Sequence, residues 1–157
     1  MITLEVKMPF RPQISRMNLV KVAENILKEI DLLPDTEISI QIDNDQALQK
    51  LNKRFLGYDQ PTDVLSFESN EIDPETGRFH LGDIVISFES AERQAQEAGH
   101  PLENEMILLL THGILHLSGM DHSSKEEKFD MWNKQQTILD HMGVKINRIV
   151  GDQDFHD

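Results

Sequence analysis

The 157-residue chain contains no cysteine. Disulfides and thiolate metal sites are therefore excluded, which fits a reducing compartment. Aromatic residues make up only 6% of the chain, with one tryptophan and one tyrosine. Long apolar runs are missing as well. The longest, Met106–Leu110, falls far short of a membrane span. The first seven residues alternate in polarity, with no apolar stretch of signal length. These absences predict a cytoplasmic protein with no membrane partner. Basic residues are also scarce, 15 Lys and Arg against 28 Asp and Glu, giving a net charge of −13. That total argues against an indiscriminate nucleic-acid coat protein or a basic membrane binder.

The deficit is unevenly spread. Residues 1–60 carry 8 basic and 9 acidic side chains, whereas residues 61–157 carry 7 and 19. The asymmetry has two readings: a solvated acidic surface over the rest of the chain, or a nearly neutral first third that faces something negative. The length suits one compact domain with a core of its own, expected over residues 1–150, followed by a polar, frayed tail at 151–157.

Periodicity predicts the elements. Ile2, Leu4 and Val6 alternate as a strand. Ser15 is a candidate cap for a helix carrying Leu19, Ala23, Ile26, Leu27 and Ile30, with Pro34 as its stop. Ile38, Ile40 and Ile42 mark a second strand, and Leu48, Leu51 and Phe55 the stripe of a helix ending near Gly57. Val64–Phe67 reads as a strand, Asn70–Gly77 as a polar turn, and Ile84–Ile86 as a strand buried on both faces. Helices follow over Ser90–Ala98, Leu102–Ser118, and from a capping box at Ser124–Glu127 to about Met142. The expected class is α+β: a four-stranded mixed sheet packed with about five helices.

Chemistry concentrates in one stretch, Thr111 to His122. His112 and His116 are four apart on a predicted helix, so both imidazoles leave one face. Gly119 lets the chain leave that helix sharply, and the turn can return His122 to the same point. Three imidazoles with an open fourth position suit a catalytic zinc site, here at the end of a core helix. Four other histidines, His80, His100, His141 and His156, lack metal spacing and are expected at the surface or in loops. The spacing His-x-x-x-His-x-x-Gly-x-x-His is also that of metzincin peptidases, which place a glutamate base directly after the first histidine. Here that position is Gly113, which cannot act as a base.

The run His112-Gly113-Ile114-Leu115-His116-Leu117-Ser118-Gly119-Met120-Asp121-His122 resembles the signature of the bacterial rRNA-maturation endoribonucleases of the YbeY family. Two further segments agree in order. Leu51-Asn52, Gly57, Asp59 and Pro61-Thr62-Asp63-Val64-Leu65-Ser66-Phe67 are similar to the family's central segment, and Leu81-Gly82-Asp83-Ile84-Val85-Ile86-Ser87 to its glycine-aspartate strand. The resemblance implies a zinc-dependent endoribonuclease on single-stranded RNA. Its implied roles are maturation of ribosomal RNA, notably the small-subunit 3′ end, and ribosome quality control. It implies one zinc held by His112, His116 and His122, ribosomal RNA or ribosomal subunits as partners, and no role on DNA. The family pattern has arginine just before the glycine of the central segment, where this chain has Leu56. Arg54 lies two positions earlier.

Chemical reasoning adds candidates beside the ligands. Zinc can lower the pKa of a water or polarise a phosphoryl oxygen, and either promotes phosphodiester cleavage. Asp121 adjoins His122 and could orient an imidazole or handle a proton, or could simply close a turn. Arg54, with Lys50 and Lys53, could hold phosphate, with Arg54 the candidate for a catalytic contact; the alternative is a solvated helix face. These three are expected beside the metal. Two other functions compete. One is a metzincin-like metallopeptidase with a substitute base. The other is a non-catalytic, ribosome-associated module in which metal only locks the helix end.

Overall fold

The computed structural model describes residues 1–32 and 34–147. The tail expected at 151–157, and His156 within it, lie outside the described residues. In chain order the elements are β1 (Ile2–Val6), a 3₁₀ turn (Met8–Phe10), α1 (Arg11–Ile14), α2 (Leu19–Glu29), β2 (Thr36–Asp43), α3 (Asp45–Leu56), β3 (Val64–Ile72), β4 (Phe79–Ser87), α4 (Phe88–Ala98), α5 (Leu102–Leu117) and α6 (Lys125–His141). The class is α+β, with a mixed sheet in the order β1-β2-β4-β3. β1, β2 and β4 run parallel, and β3 returns antiparallel to β4 at the edge.

The two faces of the sheet are covered unequally, and strand alternation decides how. Ile38, Ile40, Ile42, Val64, Ile84 and Ile86 point to one face and join the main core with α2, α4, α5 and α6. Leu65 and Val85, one residue out of phase, point to the other face. There they meet Leu48 of α3 in a small second core, with Leu51 and Phe67 packed against it. α5 is the central element. Its residues Glu105–Leu115 and Leu117 are all buried, as expected of a helix apolar around most of its circumference.

Several local expectations need correction. Ser15 does not cap α2. It ends the single turn of α1, its hydroxyl donating to the Pro12 carbonyl, and Asn18 at positive φ opens α2 instead. α2 stops before Pro34, because Asp31 turns left-handed (φ 59°) and the Leu32 N–H bonds back to the Leu27 carbonyl. β3 continues to Ile72, so the polar turn is shorter than Asn70–Gly77. Phe55 is 55% exposed rather than part of the α3 stripe. His100 lies in a loop but is buried. The Asn147 N–H donates to its Nδ1 (2.9 Å), so its proton sits on Nε2 and is donated to Glu105 (2.7 Å). Glu105, fully buried in the first turns of α5, also accepts from the Gln94 amide (3.0 Å). A paired carboxylate at a helix N-terminus is favourably placed against the helix dipole. His80 is half-buried between Glu37 and Asp83, and His141 is exposed and paired with Glu29.

Glycine decides how closely α5 approaches the sheet. A Cβ on Gly82 would lie 2.3 Å from the Phe67 carbonyl oxygen and 2.7 Å from Leu117 Cδ2. A Cβ on Gly113 would lie 3.0 Å from Ile84 Cγ2. These two positions seat the C-terminal half of α5, and the histidines it carries, tightly on β3 and β4.

Candidate metal centre

α5 presents His112 and His116 from one face, one turn apart. Beyond it the chain reverses in a Schellman turn. The Gly119 N–H bonds to the His116 carbonyl, the Met120 N–H bonds to the Leu115 carbonyl, and Gly119 adopts φ 106°. Met120 then packs against the main core, which fixes the exit direction. No atom lies within 4 Å of a Cβ built on Gly119, so the glycine serves the backbone conformation, not a close approach. Two residues later His122 arrives beside the helix.

The three rings converge. Their centroids are 5.3–5.7 Å apart pairwise, and one ligand atom from each ring lies within 4.8 Å of the others. His112 is buried, whereas His116 and His122 are half-buried, so the cluster sits at the rim of the core. The donor set fits a metal of zinc character, since three neutral imidazoles are a common zinc ligand set.

His112 is held by Gln135 of α6, whose Oε1 lies 2.7 Å from Nδ1. An amide oxygen only accepts, so the proton is on Nδ1 and the lone pair is on Nε2. This is the tautomer a metal ligand needs, fixed by a partner outside the ligand set. Gln135 was not a candidate from the sequence. The available signal was a polar residue within the buried stripe Met131, Trp132, Gln135, Ile138 and Leu139 of α6.

Asp121 turns its carboxylate onto the loop that carries His122. Oδ1 accepts the His122 N–H at 2.7 Å, and Oδ2 accepts from the Ser123 hydroxyl at 3.3 Å. The His122 N–H does most to hold the carboxyl below its usual range. Slight desolvation of this exposed group opposes this, and Ser123 and the neighbouring imidazoles of His116 and His122 reinforce it. Asp121 is therefore a carboxylate at neutral pH. The single Ser123 hydroxyl proton is shared with Glu127 at the shorter distance of 2.9 Å, and Glu127 with Ser124 forms the capping box of α6. Loop and helix start are thus tied together.

Comparison with known proteins places this arrangement. The family model described as endoribonuclease YbeY matches residues 7–143. The chain belongs to this family. An endoribonuclease YbeY of Heliobacterium modesticaldum is 42% identical over 149 residues, covering 88% of this chain and 90% of the relative. One from Shouchella clausii is 39% identical, covering 82% and 87%. The solution structure of TM1509 from Thermotoga maritima superposes with a TM-score of 0.61 at 28% identity, covering 89% of this chain and 87% of that one.

The three basic candidates lie elsewhere in the fold. Lys50, Lys53 and Arg54 are exposed on α3, which packs on the sheet face opposite α5. Lys53 Nζ lies 3.7 Å from Asp59, and the Arg54 guanidinium sits 5.2 Å from the Phe55 ring centre. Edge strand β3 joins this region to the histidines. Its Phe67 touches Phe55 (ring centres 5.3 Å apart), and the Ser66 hydroxyl, on the other face, approaches the Gly113 carbonyl at 3.4 Å. Thr62 and Asp63, at the entry to β3, are buried, and Asp63 Oδ1 accepts the Val64 N–H. Among the described residues, no helix is long and apolar enough to cross a membrane.

Proposed function

We propose that this YbeY-family chain is a metal-dependent endoribonuclease. It acts in the cytoplasm on single-stranded RNA, in ribosomal RNA processing and ribosome quality control, with one zinc per chain. The observation that carries the reading is the convergence of His112, His116 and His122 within ligand distance, with His112 held in the ligand tautomer. These three residues would hold the ion. A zinc ion there would supply a Lewis acid and a means of activating water beside a phosphodiester. Gln135 orients His112. Asp121, ionised at neutral pH, keeps the His122 loop in place and offers a carboxylate next to two imidazoles. Arg54, Lys50 and Lys53 bind phosphates of the same RNA strand on the α3 side of β3.

Peptidase chemistry is disfavoured on geometry. A side chain at position 113 starts against Ile84, so the position that supplies the metzincin base here faces the sheet. The test is to incubate metal-verified wild type and His116→Ala with single-stranded and duplex RNA. The expected result is about one zinc per wild-type chain, cleavage of the single strand only, and loss of metal and cleavage together in the variant. Undiminished RNA cleavage by a metal-free variant would overturn the reading.

A further inference from the structure

The C-terminal end of α3 combines a run of cations with exposed aromatic side chains. Residues 50–58 contain three cations and no acid, within a protein of net charge −13. The same stretch exposes Phe55 (55%), Leu56 (46%) and Tyr58 (59%), three of the seven exposed large apolar side chains among the described residues. Phe67 meets Phe55 at a 60° tilt and the Arg54 guanidinium lies over the Phe55 ring, so the ring is held in place with a cation on it. Exposed rings interleaved with cations match single-stranded nucleic acid, which presents unpaired base faces and a phosphate backbone together.

We propose that Phe55 and Tyr58 form a platform on which unpaired RNA bases stack, with Arg54 and Lys50 holding the adjoining phosphates. The proposal rests on the RNA reading above and extends it, because it gives base stacking a place on the α3 face of edge strand β3. Continuity supports this occupant. Phe67, which braces Phe55, is next in sequence to Ser66, whose hydroxyl approaches the carbonyl of Gly113 beside His112. A strand lying on the platform reaches the histidines by crossing the width of β3. Duplex RNA has its base faces covered and cannot use the rings, so the platform also selects for single strands. Asp59, 3.7 Å from Lys53, lowers that lysine's share of the phosphate binding.

Tyr58 is the only tyrosine in the chain, so 3-fluorotyrosine places a single ¹⁹F label at the platform. The probes are a 2′-O-methyl oligoadenylate 12-mer, an abasic strand of equal length and charge, and the duplex of the 12-mer. Zinc-loaded full chain should show a shifted ¹⁹F resonance with the 12-mer and none with the abasic strand or the duplex. Tyr58→Ala and Phe55→Ala should each weaken 12-mer binding by about tenfold. They should leave abasic-strand binding and the salt dependence unchanged, whereas Arg54→Gln weakens both strands and lowers the salt slope. Tyr58→Phe should restore binding. Tyr58 is exposed, so its variant tests the surface even if Phe55→Ala disturbs α3. An unmoved resonance, or equal losses on the 12-mer and the abasic strand, would overturn the platform even if the protein cleaves RNA. Stacking signals without any cleavage would uphold the platform and refute the nuclease reading instead.

Discussion

Gln135→Leu is the sharpest probe of the proposed metal centre, because it leaves all three candidate ligands in place. In the wild type a buried amide accepts from a buried imidazole at 2.7 Å, with Gln135 2% and His112 1% exposed. Leucine removes the acceptor and leaves an imidazole N–H facing hydrocarbon. An unsatisfied buried donor of this kind costs about 1–3 kcal/mol. His112 can escape part of that cost by moving its proton to Nε2, but it then loses the lone pair that a metal needs. Metal affinity should therefore fall by about 10–100-fold, equivalent to about 1.4–2.7 kcal/mol. The two ranges overlap because one hydrogen bond sets both. The metal-free fold should lose on the order of 5 °C in Tm. A competition titration against a chromophoric chelator reads the affinity, and melts with and without chelator separate fold from site. Gln135→Glu keeps an acceptor and should hold zinc nearly as well as wild type. The reasoning is refuted if the leucine variant binds zinc within twofold of wild type, or if the glutamate variant is as weak as the leucine one.

The remaining predictions concern what holds the site's supports. Gly82→Ala should destabilise the fold by about 3 kcal/mol or more, because the added Cβ meets the backbone oxygen of Phe67. Gly113→Ala should cost less, since Ile84 is a side chain that can give way and alanine favours the helix; equal urea midpoints for the two variants would contradict this. Asp45, at the start of α3, accepts hydrogen bonds from Ser87 (2.5 Å), Ser90 (2.6 Å) and Arg93 (2.8 Å). Burial raises its pKa, but those bonds and the Arg93 charge together outweigh burial and leave the carboxyl below its ordinary 3.8. Its stabilisation is therefore full above the unfolded pKa and is lost as pH falls through the lower folded value. Asp45→Asn should cost about 2 kcal/mol at pH 7, with the gap to wild type closing below about pH 4. A gap that stays constant from pH 7 to pH 3 would count against this.

How much of this was legible in advance depended on whether the cause was local. The α6 capping box, the Gly57 and Gly119 turns and the His112–His116 spacing rest on residues a few positions apart, so the sequence carried them. Helix ends were less legible where a non-glycine residue took the left-handed turn. Asp31 closes α2 ahead of Pro34, the residue that the sequence pattern marks as its stop. Phe55 reads as core from its spacing, yet α3 buries only Leu48 and Asn52, and its last turn, Lys53 to Leu56, is exposed.

The order of residues by itself determined which three histidines converge. Two histidines a turn apart and a glycine-led reversal to a third are consequences of helix pitch and of glycine's freedom at positive φ. Tertiary structure decided the rest. Gln135 reaches His112 from 23 residues away only because α6 folds back along α5. Gly82 and Gly113 matter only because a strand and a helix press together there. The expected neighbourhood of Lys50, Lys53 and Arg54 beside the metal also depended on packing. Leu48 and Leu65 are buried together on the face of β3 away from α5, so these cations stand across an edge strand from the histidines. Sequence spacing sets which side chains share a helix face, whereas the burial of apolar faces against the sheet sets which helices share a side.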